Sequence, residues 1–261
     1  MRDGTAILLL GRIGIMADGV FVSAGPPKQS TAFAVLALNA GRPVPIDSLI
    51  ERVWDGESPP AGRGALYAYV SRLRTLLAPL PDVRLRRSDH AGYVLEAPPE
   101  RVDVYRMRRL IKEARRAASV GDDLAATDLL RSAVGLWRAD TAFGGVGNRW
   151  LDGVRESLGW ERLGALTELY GAELRAGRHA EVLGELSWLV TAHPQAEPLV
   201  ALLMHALRRC GQTAEALDLF ERTRRRLDEE YGCRPGPALQ ASHRELLRQG
   251  TEAYVLPALP G

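Results

Sequence analysis

The first 22 residues alternate short apolar runs with turn residues, and this pattern predicts strands. Apolar runs occupy residues 7–10, 13–16 and 20–22. Ala17, Asp18 and Gly19 separate the second run from the third, and an Asp-Gly pair between apolar runs favours a hairpin. The pattern therefore predicts a small antiparallel sheet at the start of the chain.

Three segments with apolar residues three or four positions apart follow this sheet. They predict helices at 28–39, 47–54 and 61–77, each ended by Gly or Pro. Residues 83–87 and 93–95 then flank a polar turn and predict a second hairpin. Strands, three helices and a closing hairpin, in this order, are typical of an OmpR-type winged helix.

Beyond residue 102 the strand patterns stop and only helical patterns remain. Helices are predicted at 103–120, 123–137, 149–176, 179–193, 198–210, 213–231 and 237–249. Gly177-Arg178-His179-Ala180-Glu181 parallels Gly211-Gln212-Thr213-Ala214-Glu215 at an offset of 34 residues. A helix-turn-helix period of 34 is that of tetratricopeptide repeats.

The predicted fold class is therefore an α+β N-terminal winged helix followed by an all-α, tetratricopeptide-like helical repeat domain. Pro98 and Pro99 lie between the two patterns and indicate a domain boundary. We expect a DNA-binding domain at 1–98, a helical domain at 99–250 and a C-terminal tail at 251–261.

The third helix has the layout of a helix that reads DNA. Leu66, Val70, Leu73 and Leu77 fall on one stripe that predicts its buried side. The opposite side carries small residues and Arg72, which is long enough to reach guanine O6 and N7 in the major groove. Arg63, Tyr67 and Arg74 flank that side, where phosphate groups of an entering duplex run.

Charge supports this interpretation locally rather than globally. The net charge is only +2, but residues 61–87 contain six arginines against the single acid Asp82. Such an imbalance predicts a phosphate-binding surface, and a solvated arginine-rich surface is the alternative. The second predicted hairpin, residues 83–95, is the wing of the winged helix. The residues that we expect to contact DNA are Arg63, Gly64, Tyr67, Ala68, Ser71, Arg72, Arg74 and Thr75 on the helix and Arg86, Arg87 and His90 in the wing.

Several function classes find no support in the sequence. The five histidines and two cysteines lack metal-ligand spacing, and no catalytic motif or phosphate loop occurs, so we expect no metal, no cofactor and no enzyme. Cys210 and Cys233 are expected to be reduced thiols. No run approaches the ~20 apolar residues of a membrane span and no signal-peptide pattern opens the chain, which favours a cytoplasmic protein without membrane contact.

The chain resembles the Streptomyces antibiotic regulatory protein family along nearly its whole length. The likeness rests on short segments of both halves, which are Gly25-Pro26-Pro27-Lys28-Gln29, Ala40-Gly41-Arg42-Pro43-Val44, Leu49–Trp54, Tyr69–Arg74, Ala91-Gly92-Tyr93, Ala176–Glu181, Leu202–Leu207, Ala214–Leu217, Arg224–Leu227, Glu229-Glu230 and Pro235–Leu239. The second half of the chain resembles the bacterial transcriptional activation domain of this family.

The resemblance implies a pathway-specific activator of a secondary-metabolite gene cluster. Such a protein binds direct repeats in promoter DNA and recruits RNA polymerase through its sigma and alpha subunits. The resemblance also supports Arg72 as the base-reading arginine and Arg74 as a phosphate contact. Because no heptad run suggests a two-fold dimer, we expect copies to associate head-to-tail on DNA.

Some features depart from the family pattern or leave alternatives open. Ser30 and Thr31 stand where a basic residue is expected, and Asp89 in the wing turn would repel phosphate. No receiver domain or P-loop module is recognised, so we expect no control by receiver phosphorylation. A repressor with the same DNA-binding mode, and a repeat scaffold that binds only protein, remain alternatives.

Overall fold

A computed structural model of the chain describes residues 6–88 and 92–252, with side chains described as far as residue 248. The strands of the described residues are β1 (Ile7–Leu8), β2 (Gly14–Ala17), β3 (Val20–Ser23), β4 (Val44–Pro45), β5 (Arg84–Ser88) and β6 (Gly92–Glu96). They form two three-stranded sheets, one in the order β1-β2-β3 and the other in the order β4-β6-β5.

The helices occupy the segments that the apolar periodicity predicted, to within a few residues. They are α1 (Pro27–Ala37), α2 (Ile46–Trp54), α3 (Gly62–Leu77), α4 (Asp103–Ser119), α5 (Asp123–Val134), α6 (Arg149–Arg175), α7 (His179–Ala192), α8 (Glu197–Arg209), α9 (Thr213–Tyr231) and α10 (Pro237–Glu252). None of the helices in the described residues is long and apolar enough to cross a membrane.

The predicted Asp-Gly hairpin is present between β2 and β3. Ala17 pairs with Val20, and the two residues between them have positive φ, 48° at Asp18 and 81° at Gly19. Positive φ at both central positions defines the type I′ turn, whose twist matches that of the flanking strands.

Strand β4 was missed by the sequence patterns. Val44 pairs with Tyr93 and Pro45 with Gly92, so β4 closes the second sheet against β6. A Cβ at position 92 would lie 2.3 Å from the Val44 carbonyl oxygen. Glycine at this position is therefore needed for the close approach of the two backbones.

A buried carboxylate joins the first sheet to the beginning of α4. Asp103 is fully buried and accepts hydrogen bonds from the N–H groups of Leu9 (2.8 and 3.0 Å), Leu10 (3.0 Å) and Val104 (2.9 Å), with Arg138 Nη1 at 3.5 Å. Burial raises the pKa of Asp103 to about 6, while the N–H donors and Arg138 favour its ionised form. The first sheet and α4 therefore share one hydrogen-bonded core.

A second polar junction fixes the end of α2, the helix that precedes α3. The Asn148 side chain is buried, and its Nδ2 donates to the Arg52 carbonyl and to Asp55 Oδ1, both at 2.8 Å. Its Oδ1 accepts from the Leu151 N–H at 2.9 Å and so caps the first turn of α6. The beginning of α6 is thereby anchored to the winged helix.

Within the described residues the chain divides into two compact units. The first comprises residues 6–120 and 128–165, and the second comprises residues 121–127 and 166–252. In the second unit, α8 packs against α7, α9 and α10. Cys210 and Cys233, both in this unit, are free thiols.

The 34-residue repeat of the sequence is also a repeat of the structure. Gly177 has φ 81° and Gly211 has φ 80°, and a helix begins two residues after each, α7 at His179 and α9 at Thr213. Gly121, with φ 81°, precedes α5 in the same way. Each glycine thus supplies the left-handed residue that ends one helix before the next begins. The predicted fold class, a winged helix followed by helical repeats, is confirmed.

Candidate nucleic-acid interface

Helix α3 has one buried side and one exposed side. The predicted stripe of Leu66, Val70, Leu73 and Leu77 is buried, with at most 2% of each residue exposed. The residues chosen for the opposite side are all exposed, and these are Gly64, Ala68, Ser71, Arg72 and Thr75. Small side chains predominate there, so a double helix could approach the α3 backbone closely.

The charge of α3 is unbalanced within the helix itself. It contains Arg63, Arg72 and Arg74 and no acidic residue. Within the helix, therefore, no acid compensates the arginines, and any compensating charge comes from other elements. A positively charged surface attracts polyanions, and the phosphate backbone of DNA is bound in this way regardless of sequence.

Arg72 lies on the exposed side and contacts a buried amide. Its Nη1 is 3.5 Å from Oε1 of Gln29 in the first turn of α1. Gln29 is neutral, so this contact leaves the charge of the guanidinium uncompensated. The remaining N–H groups of a guanidinium suffice for a bidentate contact with guanine.

Arg63, at the N-terminal end of α3, forms an ion pair with Asp47 of α2. Arg63 Nη2 lies 2.7 Å from Asp47 Oδ1, and the side chains are 57% and 85% exposed, respectively. Exposed ion pairs of this kind contribute about 0–1 kcal/mol. The Arg63 side chain is therefore able to exchange Asp47 for a phosphate group.

Arg74 joins α3 to the wing hairpin. Its Nε donates to the Leu85 carbonyl at 3.0 Å, and its guanidinium lies 5.9 Å from the centre of the Tyr93 ring. The sequence suggested a phosphate contact for Arg74, and the structure adds a second role, which is to hold β5 and β6 against α3.

The wing arginines lie on opposite faces of the β5–β6 hairpin. Arg86 pairs with Val94 and Arg87 with Tyr93 in the strand register. Since side chains alternate along a strand, Arg87 shares the face of buried Leu85, and Arg86 points to the other face. Arg86 Nη1 lies 3.4 Å from Glu96 Oε1 on that face. His90, the third wing residue of the prediction, lies outside the described residues.

Several residues that shape this interface were not identified from the sequence. Asp47 was not recognised as the partner of Arg63, and Gln29 was noted only as part of a family motif. Ser30 and Thr31 are buried, and their hydroxyls donate to the Gly25 and Pro27 carbonyls at 2.7 and 3.0 Å. The structure therefore gives these two side chains a local role at the start of α1.

Comparison with known protein families gives two matches in chain order. Residues 24–95, which include α1–α3 and the wing, match the family described as "Transcriptional regulatory protein, C terminal". Residues 102–247 match the family described as "Bacterial transcriptional activator domain", and this match covers more than half of the chain. The chain belongs to the Streptomyces antibiotic regulatory protein family.

Members of the Streptomyces antibiotic regulatory protein family from two species show this relationship over most of the chain. The protein is 33% identical to the regulatory protein DnrI of Streptomyces peucetius, over 93% of this chain and 92% of that protein. It is 37% identical to the regulatory protein AfsR of Streptomyces coelicolor, over 92% of this chain. The matched region spans only 24% of AfsR.

A solved relative has the same arrangement of elements. The structure of Mycobacterium tuberculosis EmbR in complex with a low-affinity phosphopeptide matches with a TM-score of 0.86 and 30% sequence identity. The match covers 94% of this chain and 65% of the EmbR chain. Among the relatives, DnrI and AfsR are named as regulatory proteins, and RedD of Streptomyces coelicolor, 33% identical over 97% of this chain and 73% of that protein, is named as a transcriptional regulator.

Proposed function

We propose that this chain is a sequence-specific DNA-binding transcriptional activator of a secondary-metabolite gene cluster, such as one for an antibiotic. The observation that carries the proposal is the exposed side of α3, where small residues and Arg72 stand opposite a fully buried stripe. The match of residues 102–247 to an activator domain supports activation rather than DNA binding alone.

The proposed division of labour follows the sequence boundary. Residues 1–98 bind DNA, residues 99–250 contact the transcription machinery, and residues 251–261 form a tail. We assign the chain to the cytoplasm, where bacterial promoters and RNA polymerase are found. RNA polymerase, through its sigma and alpha subunits, is the proposed protein partner.

Within the interface, base reading and phosphate binding fall to different residues. We propose that Arg72 reads a guanine edge and that Gly64, Ala68, Ser71 and Thr75 let the backbone approach the bases. Phosphate contacts are assigned to the flanking and wing residues, namely Arg63, Tyr67, Arg74, Arg86, Arg87 and His90. Tyr67 is 43% exposed, which leaves its hydroxyl available for such a contact.

The proposed operator is a direct repeat bound by two copies head-to-tail. One winged-helix module buries about 600–1,000 Å² of protein surface, too little for high specificity by itself. Copies on one face of DNA have their recognition helices about one turn, roughly 10–11 bp, apart. An insertion of about 5 bp between the repeats places the copies on opposite faces and should abolish cooperative binding.

Footprinting on the promoters of the neighbouring genes, with and without RNA polymerase, tests the proposal. We expect a footprint over a direct repeat that extends when polymerase is added, together with more transcript in a purified assay. A footprint that lowers transcription would identify a repressor instead. Binding to polymerase without any footprint would identify a protein-binding scaffold.

Truncation separates the two halves of the proposal. A fragment of residues 1–100 should bind the same site without activating transcription. Because Leu9 and Leu10 bond to Asp103, this fragment is compared with one of residues 1–165, which keeps the whole first compact unit. Activation by the fragment of residues 1–100 at the level of the full chain would contradict the assignment of residues 99–250, and activation by the fragment of residues 1–165 would confine the activating contact to residues 99–165.

A further inference from the structure

The first turn of α1 contains a buried polar side chain that lies beneath α3, the proposed recognition helix. Gln29 is only 6% exposed. A buried primary amide needs hydrogen-bond partners for both its oxygen and its nitrogen. Those partners determine which way the amide faces.

The nitrogen of the Gln29 amide faces the first sheet. Nε2 donates to the Ala24 carbonyl at 2.6 Å, and the Ala24 N–H in turn donates to the Ile13 carbonyl at 3.0 Å. Gly25, with φ 103°, leaves the room that this arrangement requires, since a Cβ there would lie 2.6 Å from Gln29 Nε2. With the nitrogen held by Ala24, the oxygen is directed towards α3.

The oxygen of the Gln29 amide faces Arg72. Oε1 lies 3.5 Å from Arg72 Nη1, a long contact with one edge of the guanidinium. A neutral acceptor at this distance restrains a flexible side chain without cancelling its charge. Asp47 differs in this respect, because it binds Arg63 through a carboxylate that competes with phosphate.

We propose that Gln29 is a specificity-determining positioning residue, whose buried amide orients the Arg72 guanidinium for base reading. The inference rests on the proposed function, because Arg72 is the proposed base-reading residue. Gln29 itself touches no base. It acts by restricting the orientations of Arg72 before DNA arrives, so that less side-chain freedom is lost on binding.

The test measures discrimination between two duplexes by the full chain. One duplex is selected by the wild-type protein from a random-sequence pool, and the other is a scrambled sequence of the same composition. Gln29→Met removes the amide while keeping its length. We expect this variant to lower the ratio of the two affinities by about 3- to 10-fold, the range for loss of one ordinary hydrogen bond, because the 3.5 Å contact is long.

Ser30→Ala is the matched control. Ser30 is equally buried in the same turn and donates to the Gly25 carbonyl at 2.7 Å, but its bond is made within the loop and first turn of α1. Loss of this hydroxyl should lower thermal stability and leave discrimination unchanged. Equal loss of discrimination in both variants would mean that Gln29 acts only through the stability of α1, which would overturn the inference.

A double variant separates positioning from packing. If Gln29 acts through Arg72, Gln29→Met should have no further effect on discrimination when combined with Arg72→Ala. Effects that add in full would overturn the inference. Should the methionine variant fail to fold, Gln29→Asn keeps a neutral amide but shortens the side chain, so that the amide no longer reaches Arg72 while it donates to Ala24. Discrimination should then fall about 3-fold or more, the loss of one ordinary hydrogen bond. Wild-type discrimination in a folded Gln29→Asn variant would overturn the inference.

The same measurements distinguish failure of the inference from failure of the proposed function. A pool selection that yields no preferred sequence, or an Arg72→Ala variant that discriminates like the wild type, contradicts both. Sensitivity at Arg72 together with unchanged discrimination in the Gln29→Met variant contradicts the inference alone.

Discussion

Helices α3 and α9 are both rich in arginine, yet their charges are organised in opposite ways. Helix α3 has three arginines and no acid, whereas α9 has four arginines and six acids. On α9 the partners come from the helix itself, at spacings of three or four residues. Arg224 Nη2 lies 2.8 Å from Glu221 Oε2, and Arg226 Nε lies 3.3 Å from Glu230 Oε1.

The difference teaches that local charge balance, rather than arginine content, marks a surface for nucleic acid. Opposite charges one turn apart on a helix are separated by less than the Debye length, which is about 8 Å at physiological salt. Their electric fields therefore largely cancel at larger distances. Helix α9, with two more acids than arginines, therefore offers a polyanion no net positive charge, and its ion pairs contribute to helix stability. Helix α3 has no acid of its own to offset its arginines. Its net positive charge therefore favours the release of counterions when the helix binds DNA.

The largest effect is expected when α3 is given an acid on its exposed side. Ala68→Glu places a carboxylate among small residues that face the proposed DNA, and like-charge contact costs several kcal/mol, roughly a hundredfold or more in Kd. The control is Ala214→Glu, an exposed alanine-to-glutamate change on α9. Fluorescence anisotropy with selected and scrambled duplexes measures both variants. Equal weakening of DNA binding by the two substitutions would contradict the proposed difference between α3 and α9.

Removal of the central arginine should have the next largest effect. Arg72→Ala is expected to lose roughly 1–3 kcal/mol of discrimination between specific and scrambled DNA, the contribution of one bidentate base contact. The fold should remain intact, since Arg72 is exposed. Arg225→Ala, which removes an exposed arginine of α9, should leave both affinities unchanged. An Arg72→Ala variant with wild-type discrimination would refute the base-reading role.

Arg63→Ala should weaken binding to all sequences to a similar extent. The loss of one phosphate contact lowers the slope of log K against log salt concentration by about 1. Arg222→Ala on α9 is the control and should leave the slope unchanged. Salt titrations of both variants on scrambled DNA provide the measurement, and equal slopes for wild type and Arg63→Ala would exclude a phosphate contact at this position.

The smallest effect is expected at Asp47 of α2, the acid that pairs with Arg63 of α3. Asp47→Asn releases Arg63 from an exposed ion pair and should raise affinity for any DNA about twofold, within the range of such pairs. Glu221→Gln makes the corresponding change on α9 and should leave DNA affinity unaltered. Weaker DNA binding by Asp47→Asn would show that the pair positions Arg63 rather than competing for it.

The features that could be predicted from the sequence depend on neighbouring residues. The buried stripe of α3 follows from helical periodicity, and the hairpin at Asp18-Gly19 follows from the φ values that its turn requires. The 34-residue repeat could be seen in the sequence because Gly177 and Gly211 have the same role, each being the left-handed residue two positions before a helix. The first two signals each lie within one element or one turn, and the third compares two turns of the same kind.

The features that escaped prediction depend on residues far apart in the chain. Strand β4 has only two residues, too few for a periodic pattern, and its partner β6 lies about 50 positions later. Asp103 looked like an ordinary acid at a helix start, yet it binds Leu9, 94 residues away. Gln29 likewise meets Arg72 across 43 residues. Such contacts arise only when the chain folds.

The central claim is that Arg72 on α3 reads a base edge, and replacement of single guanines by 7-deazaguanine tests it most directly. The analogue lacks the N7 acceptor and leaves the phosphates unchanged. We predict that one substitution in each repeat weakens wild-type binding roughly fivefold or more, and that Arg72→Ala is insensitive to that same substitution. Identical sensitivity profiles for the wild type and Arg72→Ala would contradict the claim.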